Sequence, residues 1–226
     1  MIRAIFLKFV WDGSLQEGVI IMVAFMSGIH RISEWVTRLM YVNILWILFT
    51  FLGVVVLGFF PSTTAMFAVI RKWVMKQDIP VFKTFWTVYK SEFVKSNGVG
   101  LIILALGCFL YSNIKIVEAI TLPILKLLYI PNVMVVLIFI LTLLYIFPVL
   151  VHFNVGVKGV IKNAIILMTI NPITTFIMAV LTGFFFFILM KFPGFIPFFS
   201  GSIPAFLLMF FSNYVFTKVH QSGKRI

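Results

Sequence analysis

"YVNILWILFTFLGVVVLGFFPSTTAMFAVIRKW" occupies residues 41–73, and how it divides sets the number of helices in the protein. With its flanks it forms an apolar run from Leu39 to Ile70. A helix that crosses the roughly 30 Å hydrocarbon core of a bilayer needs about 20 apolar residues. The run is too long for one such helix and short for two. Gly53, Gly58 and Pro61 interrupt it, so it can fold as a tight hairpin of two short helices. The other layout has Tyr41–Phe60 crossing once, with Pro61 opening a helix along the membrane surface. The hairpin is favoured, because it places Arg31 and Arg38 with the other basic segments.

The rest of the chain demands lipid as solvent. Of its 226 residues 62% are hydrophobic and 11% charged, with a mean hydropathy of +1.17. Soluble domains average about 45–50% apolar and about 25% charged. A water-soluble protein of this make-up could not cover its surface with polar groups. Four later segments are long enough to span: about Gly98–Val117, Asn132–Phe153, Ile173–Met190 and Phe199–Thr217. The expected fold is all-α, a polytopic membrane helix bundle with five to six transmembrane helices and amphipathic interfacial elbow helices.

Lysine and arginine gather on the cytoplasmic side of membrane proteins. Arg71, Lys72, Lys76, Lys83, Lys90 and Lys95 form one basic region, Lys158 and Lys162 a second, and Lys218, Lys224 and Arg225 a third. Alternating spans put all three on one side, against Lys115, Lys126 and Lys191 on the other. The expectation is a multi-pass cell-membrane protein with a cytoplasmic C-terminus. Its net charge of +12 is then explained by orientation and anionic lipid, not by nucleic acid.

Organisation follows from the same pattern. Residues 26–217 read as a single membrane domain and 218–226 as a cytoplasmic basic tail. Residues 1–25 read as an extension, with Met22 or Met26 as the natural start, or as a short interfacial leader. They lack the basic, apolar and small-residue order of a signal peptide. "MSGIHRISEWVTRLM" (26–40) sets Ile29, Ile32, Trp35, Val36 and Leu39 on one helical face, as an interfacial helix does.

"DIPVFKTFWTVYKSEF" (78–93) is the second decisive stretch. At 100° per residue Phe82, Phe85, Trp86, Tyr89 and Phe93 share one face, while Lys83, Lys90 and Lys95 fall on the other. Asp78 is placed to cap the helix. Such a helix lies flat with its aromatic face in the headgroup boundary, and offers Phe82, Lys83, Phe85, Trp86, Tyr89, Lys90, Phe93 and Lys95 to lipid or to a protein partner. "FPVLVHFNVGVKGVIKNAIILMTINP" (147–172) echoes it, running from Phe–Pro through lysines into a span. This second elbow carries a possible intramembrane polar cluster of His152, Asn154, Asn163 and Asn171. Asn43 and Trp46, one turn apart, are likewise placed for interhelical hydrogen bonds.

Reactive groups are sparse. The six acids are Asp12, Glu17, Glu34, Asp78, Glu92 and Glu118, none central in an expected span. Proton relays and ion pathways normally carry such residues at membrane depth. His30, His152 and His220 are far apart, and the chain has no phosphate-cradling Gly-x-x-x-x-Gly-Lys-Ser/Thr loop. The lone Cys108 excludes a disulfide framework. No catalytic residue, metal site or cofactor is expected.

With 41–73, "DIPVFKTFWTVYKSEFVKSN" (78–97) and "KNAIILMTINPITT" (162–175) in view, the chain resembles the YesL-like family of small bacterial membrane proteins, a domain of unknown function. The resemblance covers roughly residues 26–175. Its members stand near genes for oligosaccharide ABC importers, which implies a non-catalytic accessory component of carbohydrate import. The partners implied are the bilayer and ABC permease subunits or their ATPase. A stand-alone transporter or channel, or a membrane-organising protein, are the alternatives.

Overall fold

A computed structural model describes residues 13–119, 127 and 129–221. The parts of the expected extension (1–12), of the basic tail (222–226) and of the loop bearing Lys126 therefore lie outside the described residues. The chain groups into two units, Met1–Tyr41 and Val42–Ile226.

Helices alone make up the regular structure of the described residues: α1 (Gly13–Leu52), α2 (Val56–Val74), α3 (Val81–Ser91), α4 (Phe93–Ala119), α5 (Tyr129–His152), α6 (Val157–Ile170), α7 (Pro172–Lys191), a short turn at Pro193–Phe195, α8 (Ile196–Phe199) and α9 (Ser202–Gln221). Five stretches are long and apolar enough to cross a membrane: Phe25–Leu52, Phe93–Ala119, Tyr129–His152, Pro172–Lys191 and Ser202–His220. Within the first unit, Arg38 pairs with Glu34 one turn away. The amphipathic stretch 26–40 belongs to the long α1 and is not a separate helix.

The run at 39–70 does fold as a helical hairpin, but its first arm is the end of the 40-residue α1 and not a short helix. The chain reverses over Gly53–Val55, where Gly53 N donates to Phe49 O and Val55 N to Thr50 O. The glycines, however, do not occupy the left-handed positions. Those fall to Val54 and Val55, at φ 58° and 57°, a costly conformation for a β-branched residue. Gly53 and Gly58 serve closeness instead. A Cβ on Gly58 would stand 2.4 Å from Thr50 O, and one on Gly53 would stand 2.3 Å from Gly58 Cα.

α2 is the core helix, touching α3, α4, α5 and α9. Its Ser62–Thr63–Thr64 run and basic end keep it out of the set of apolar spans. Each of those three buried hydroxyls reaches another helix. Ser62 meets Thr50 Oγ1 at 2.7 Å, Thr63 accepts from Trp46 Nε1 at 3.0 Å, and Thr64 accepts from Ser96 Oγ at 2.9 Å. Pro61 has no N–H, so it leaves the carbonyl of Leu57 without its helical partner. Asn97 of α4 supplies the missing donor, its Nδ2 lying 3.0 Å from Leu57 O. Beside it Gly100 lets α4 approach the Phe60 ring, where any Cβ would overlap.

Asn43 forms a second clip. Fully buried, it donates to Pro197 O at 2.8 Å and accepts from the backbone N–H groups of Gly201 and Ser202 at 2.9 and 3.0 Å. Those N–H groups open α9 and have no acceptor inside their own helix.

The basic segments converge. Arg71 Nη1 donates to Val151 O at 3.0 Å, the His152 ring stacks on Phe216 at 4.2 Å, and Gly98 faces Val157. The end of α2, the start of α4, the α5–α6 junction and the last turns of α9 therefore meet at one end of the second unit.

Candidate functional site

α3 and its junction with α4 carry the sequence's candidate surface. The helix opens with Pro80 at its N-cap position, where no side-chain capping bond forms. It closes at Glu92, and α4 begins with the next residue. Glu92 is thus a one-residue elbow, its N–H donating to Val88 O at 2.9 Å at the end of α3 and its carbonyl accepting from Ser96 N at 2.8 Å at the start of α4.

The aromatic face does not lie free. It wraps Phe49 of α1, whose ring centroid is 5.1 Å from Phe85, 5.1 Å from Tyr89, 5.4 Å from Trp86 and 6.4 Å from Phe82. Phe85 is wholly buried and Tyr89 nearly so. The Tyr89 hydroxyl donates to Phe49 O at 3.3 Å, a carbonyl at the end of α1 that also accepts from Gly53 N. Burial pushes this phenol above its ordinary pKa, which keeps it a neutral donor.

The sequence-derived set thus divides. Phe85 and Tyr89 are structural; Phe93 and Lys95 are half-buried, with Lys95 3.4 Å from Glu92. Phe82 (53% exposed), Lys83, Trp86 (40%) and Lys90 form the outward ridge. Lys90 Nζ sits 4.7 Å over the Trp86 ring, which itself stacks on Tyr89 at 6.0 Å. The ridge is a contact surface of aromatic edges and two amines on a buttressed helix. Phe49, its organising residue, was missed by sequence reasoning, because nothing distinguishes one phenylalanine within an apolar run.

The polar set at the second elbow is spread out. His152 is half-buried against Phe216 and Phe153, and Asn154 is exposed. Asn163 is buried on the inner face of α6, and Asn171 lies between α6 and α7, its Nδ2 donating to Leu167 O at 3.3 Å. No hydrogen bond joins any two of them among the described residues. The polar link that does form here, Tyr145 Oη to Thr175 Oγ1 at 3.0 Å, joins α5 to α7. Its signal was a tyrosine inside a long apolar helix. Among the described residues no three His, Cys, Asp or Glu side chains gather as metal ligands would.

Five long apolar helices, together with the largely buried α2, define a multi-pass helical membrane protein. Residues 39–114, spanning the hairpin, α3 and most of α4, match the family described as "Protein of unknown function, DUF624". Three Bacillus subtilis (strain 168) proteins, each named only as uncharacterized, are similar over most of their length. YteU is 39% identical over 197 residues, 85% of this chain and 87% of YteU. YesV is 38% identical over 202 residues, 87% and 97% of the two chains, and YesL 34% over 200 residues, 88% and 94%. The chain belongs to this DUF624 family of YesL-like proteins. No solved structure matches it.

Proposed function

We propose that the protein is a non-catalytic accessory component of a carbohydrate ABC import system, docking to a permease subunit or its ATPase through the ridge of α3. The observation that carries this reading is the buttressing of α3. A helix meant only to float in the headgroup layer needs no protein beneath it. Here the aromatic floor around Phe49 holds Phe82, Lys83, Trp86 and Lys90 in fixed relative positions. Tryptophan on a rigid base, flanked by charge, is the residue type that anchors protein interfaces. The import context comes from the resemblance of the sequence to YesL-like proteins.

The ridge faces the cytoplasm in this reading, with the C-terminus on the same side. Support comes from the meeting of Arg71, the α5–α6 junction and the end of α9, which gathers the basic segments at one end. Cross-linking in native membranes followed by purification should recover a permease or ATPase subunit with the wild-type chain. The double variant Trp86→Ala, Lys90→Gln should recover much less while its membrane level is unchanged. Recovery of the protein without any import subunit, together with normal growth of a deletion strain on oligosaccharides, would refute the proposal.

A further inference from the structure

An apolar cleft of about 330 Å³ opens between α4, α5 and α6. Ile102, Leu106 and Phe109 line it from α4, and Val135, Phe139 and Ile146 from α5. Thr142 adds no free polar group, because its hydroxyl donates to Ile138 O at 2.8 Å. Ile161 and Ile165 of α6 form the end of this cleft and also line a shallow surface groove of about 470 Å³ whose other walls include Lys158 and Lys162. The apolar cleft and the lysine groove thus share two walls on α6. The two lysines stand one turn apart and have no carboxylate partner among the described residues.

We propose that the cleft and the groove together bind one anionic phospholipid, an acyl chain lying along the α4–α5 seam and the headgroup phosphate held by Lys158 and Lys162. Length supports the match. Eleven residues separate Val135 from Ile146 on α5, about 16 Å at the rise of an α-helix. That is close to half of the roughly 30 Å hydrocarbon core, the depth of one leaflet. Position supports it too. α6 starts five residues after α5 ends at His152, so its first-turn Lys158 stands where the chain leaves a candidate span and headgroups begin. Charge completes it, since amines at this level attract anionic lipid and do little for zwitterionic lipid.

The test uses the full-length protein in mixed micelles holding equal phosphatidylglycerol and phosphatidylcholine, with retained lipid counted by native mass spectrometry. The expected result is a preference for phosphatidylglycerol of roughly thirtyfold, the scale two near-surface lysines supply. Lys158→Gln with Lys162→Gln should abolish the preference. Leu106→Trp and Ile138→Trp, which fill the cleft from opposite walls, should each lower retention of both lipids; circular dichroism confirms that the variants remain folded. Lys83→Gln with Lys90→Gln, equal in charge removed, should leave the preference intact. Equal retention of the two lipids by the wild type would overturn the proposal, as would a preference that survives the Lys158/Lys162 pair or falls equally in the Lys83/Lys90 pair. Displacement of the lipid by glycerol 3-phosphate would mean that the lysines recognise phosphate alone, and would equally overturn it.

Discussion

Replacing Asn43 with leucine tests whether one buried amide ties the hairpin to α9. The side chain is fully buried and makes three hydrogen bonds to backbone 154 to 159 residues away in the chain. Hydrogen bonds between helices in lipid average about 0.6 kcal/mol, so the three together contribute about 2 kcal/mol. The leucine also strands two N–H groups at the start of α9, and an unmet buried donor costs about 1–3 kcal/mol. The expected loss is about 3 kcal/mol, which for a chain of this size lowers the midpoint of thermal unfolding by roughly 6–12 °C. Intrinsic fluorescence in detergent is a suitable assay, because Trp46 lies one turn from Asn43 and bonds Thr63 across the hairpin. Asn113→Ala is the matched control. Its amide donates only to Phe109 O in its own helix and is exposed, so its loss should move the midpoint by less than about 2 °C. Equal, small shifts for the two variants would refute the claim that Asn43 holds α9 in place.

Asn97→Ala should cost about 1 kcal/mol in the wild type but almost nothing in a Pro61→Ala background, where residue 61 regains an N–H for Leu57 O; a double-mutant cycle of SDS-unfolding free energies without coupling would rule out that pairing. Phe85→Ala empties a fully buried site and should lose about 3–5 kcal/mol, whereas Phe82→Ala, half-exposed on the same face, should lose less than about 1 kcal/mol in that assay. Gly58→Ala drives a methyl against two backbone carbonyls and should abolish monodisperse protein on gel filtration, while Gly28→Ala, with open space around it, should behave as the wild type.

Much of this architecture was legible beforehand because lipid imposes simple rules. Four of the five apolar spans appear in the sequence within a few residues of their observed ends, since backbone in hydrocarbon must be helical and must last about 20 residues. The helix at 81–91 and its aromatic face were readable from periodicity, and the hairpin from a run too long for one crossing. Its details were not. Valines take the left-handed turn positions that glycine would ordinarily fill, and the glycines are spent on closeness. Of the aromatic face of α3, Phe85 and Tyr89 are buried against Phe49, while Phe82 and Trp86 stay exposed.

The amino-acid sequence by itself settled the solvent, the helical class and the elbow, because hydropathy and a 3.6-residue period are local properties of the chain. Only the tertiary structure decided which polar groups answer one another: Asn97 with the carbonyl released by Pro61, Asn43 with the first N–H groups of α9, Tyr89 with the end of α1. Each pair is 40 or more residues apart, and every serine, threonine or asparagine in such a bundle carries the same demand for a partner. Which demand meets which is set by the crossing of the helices, and that crossing is a property of packing with no trace in local pattern.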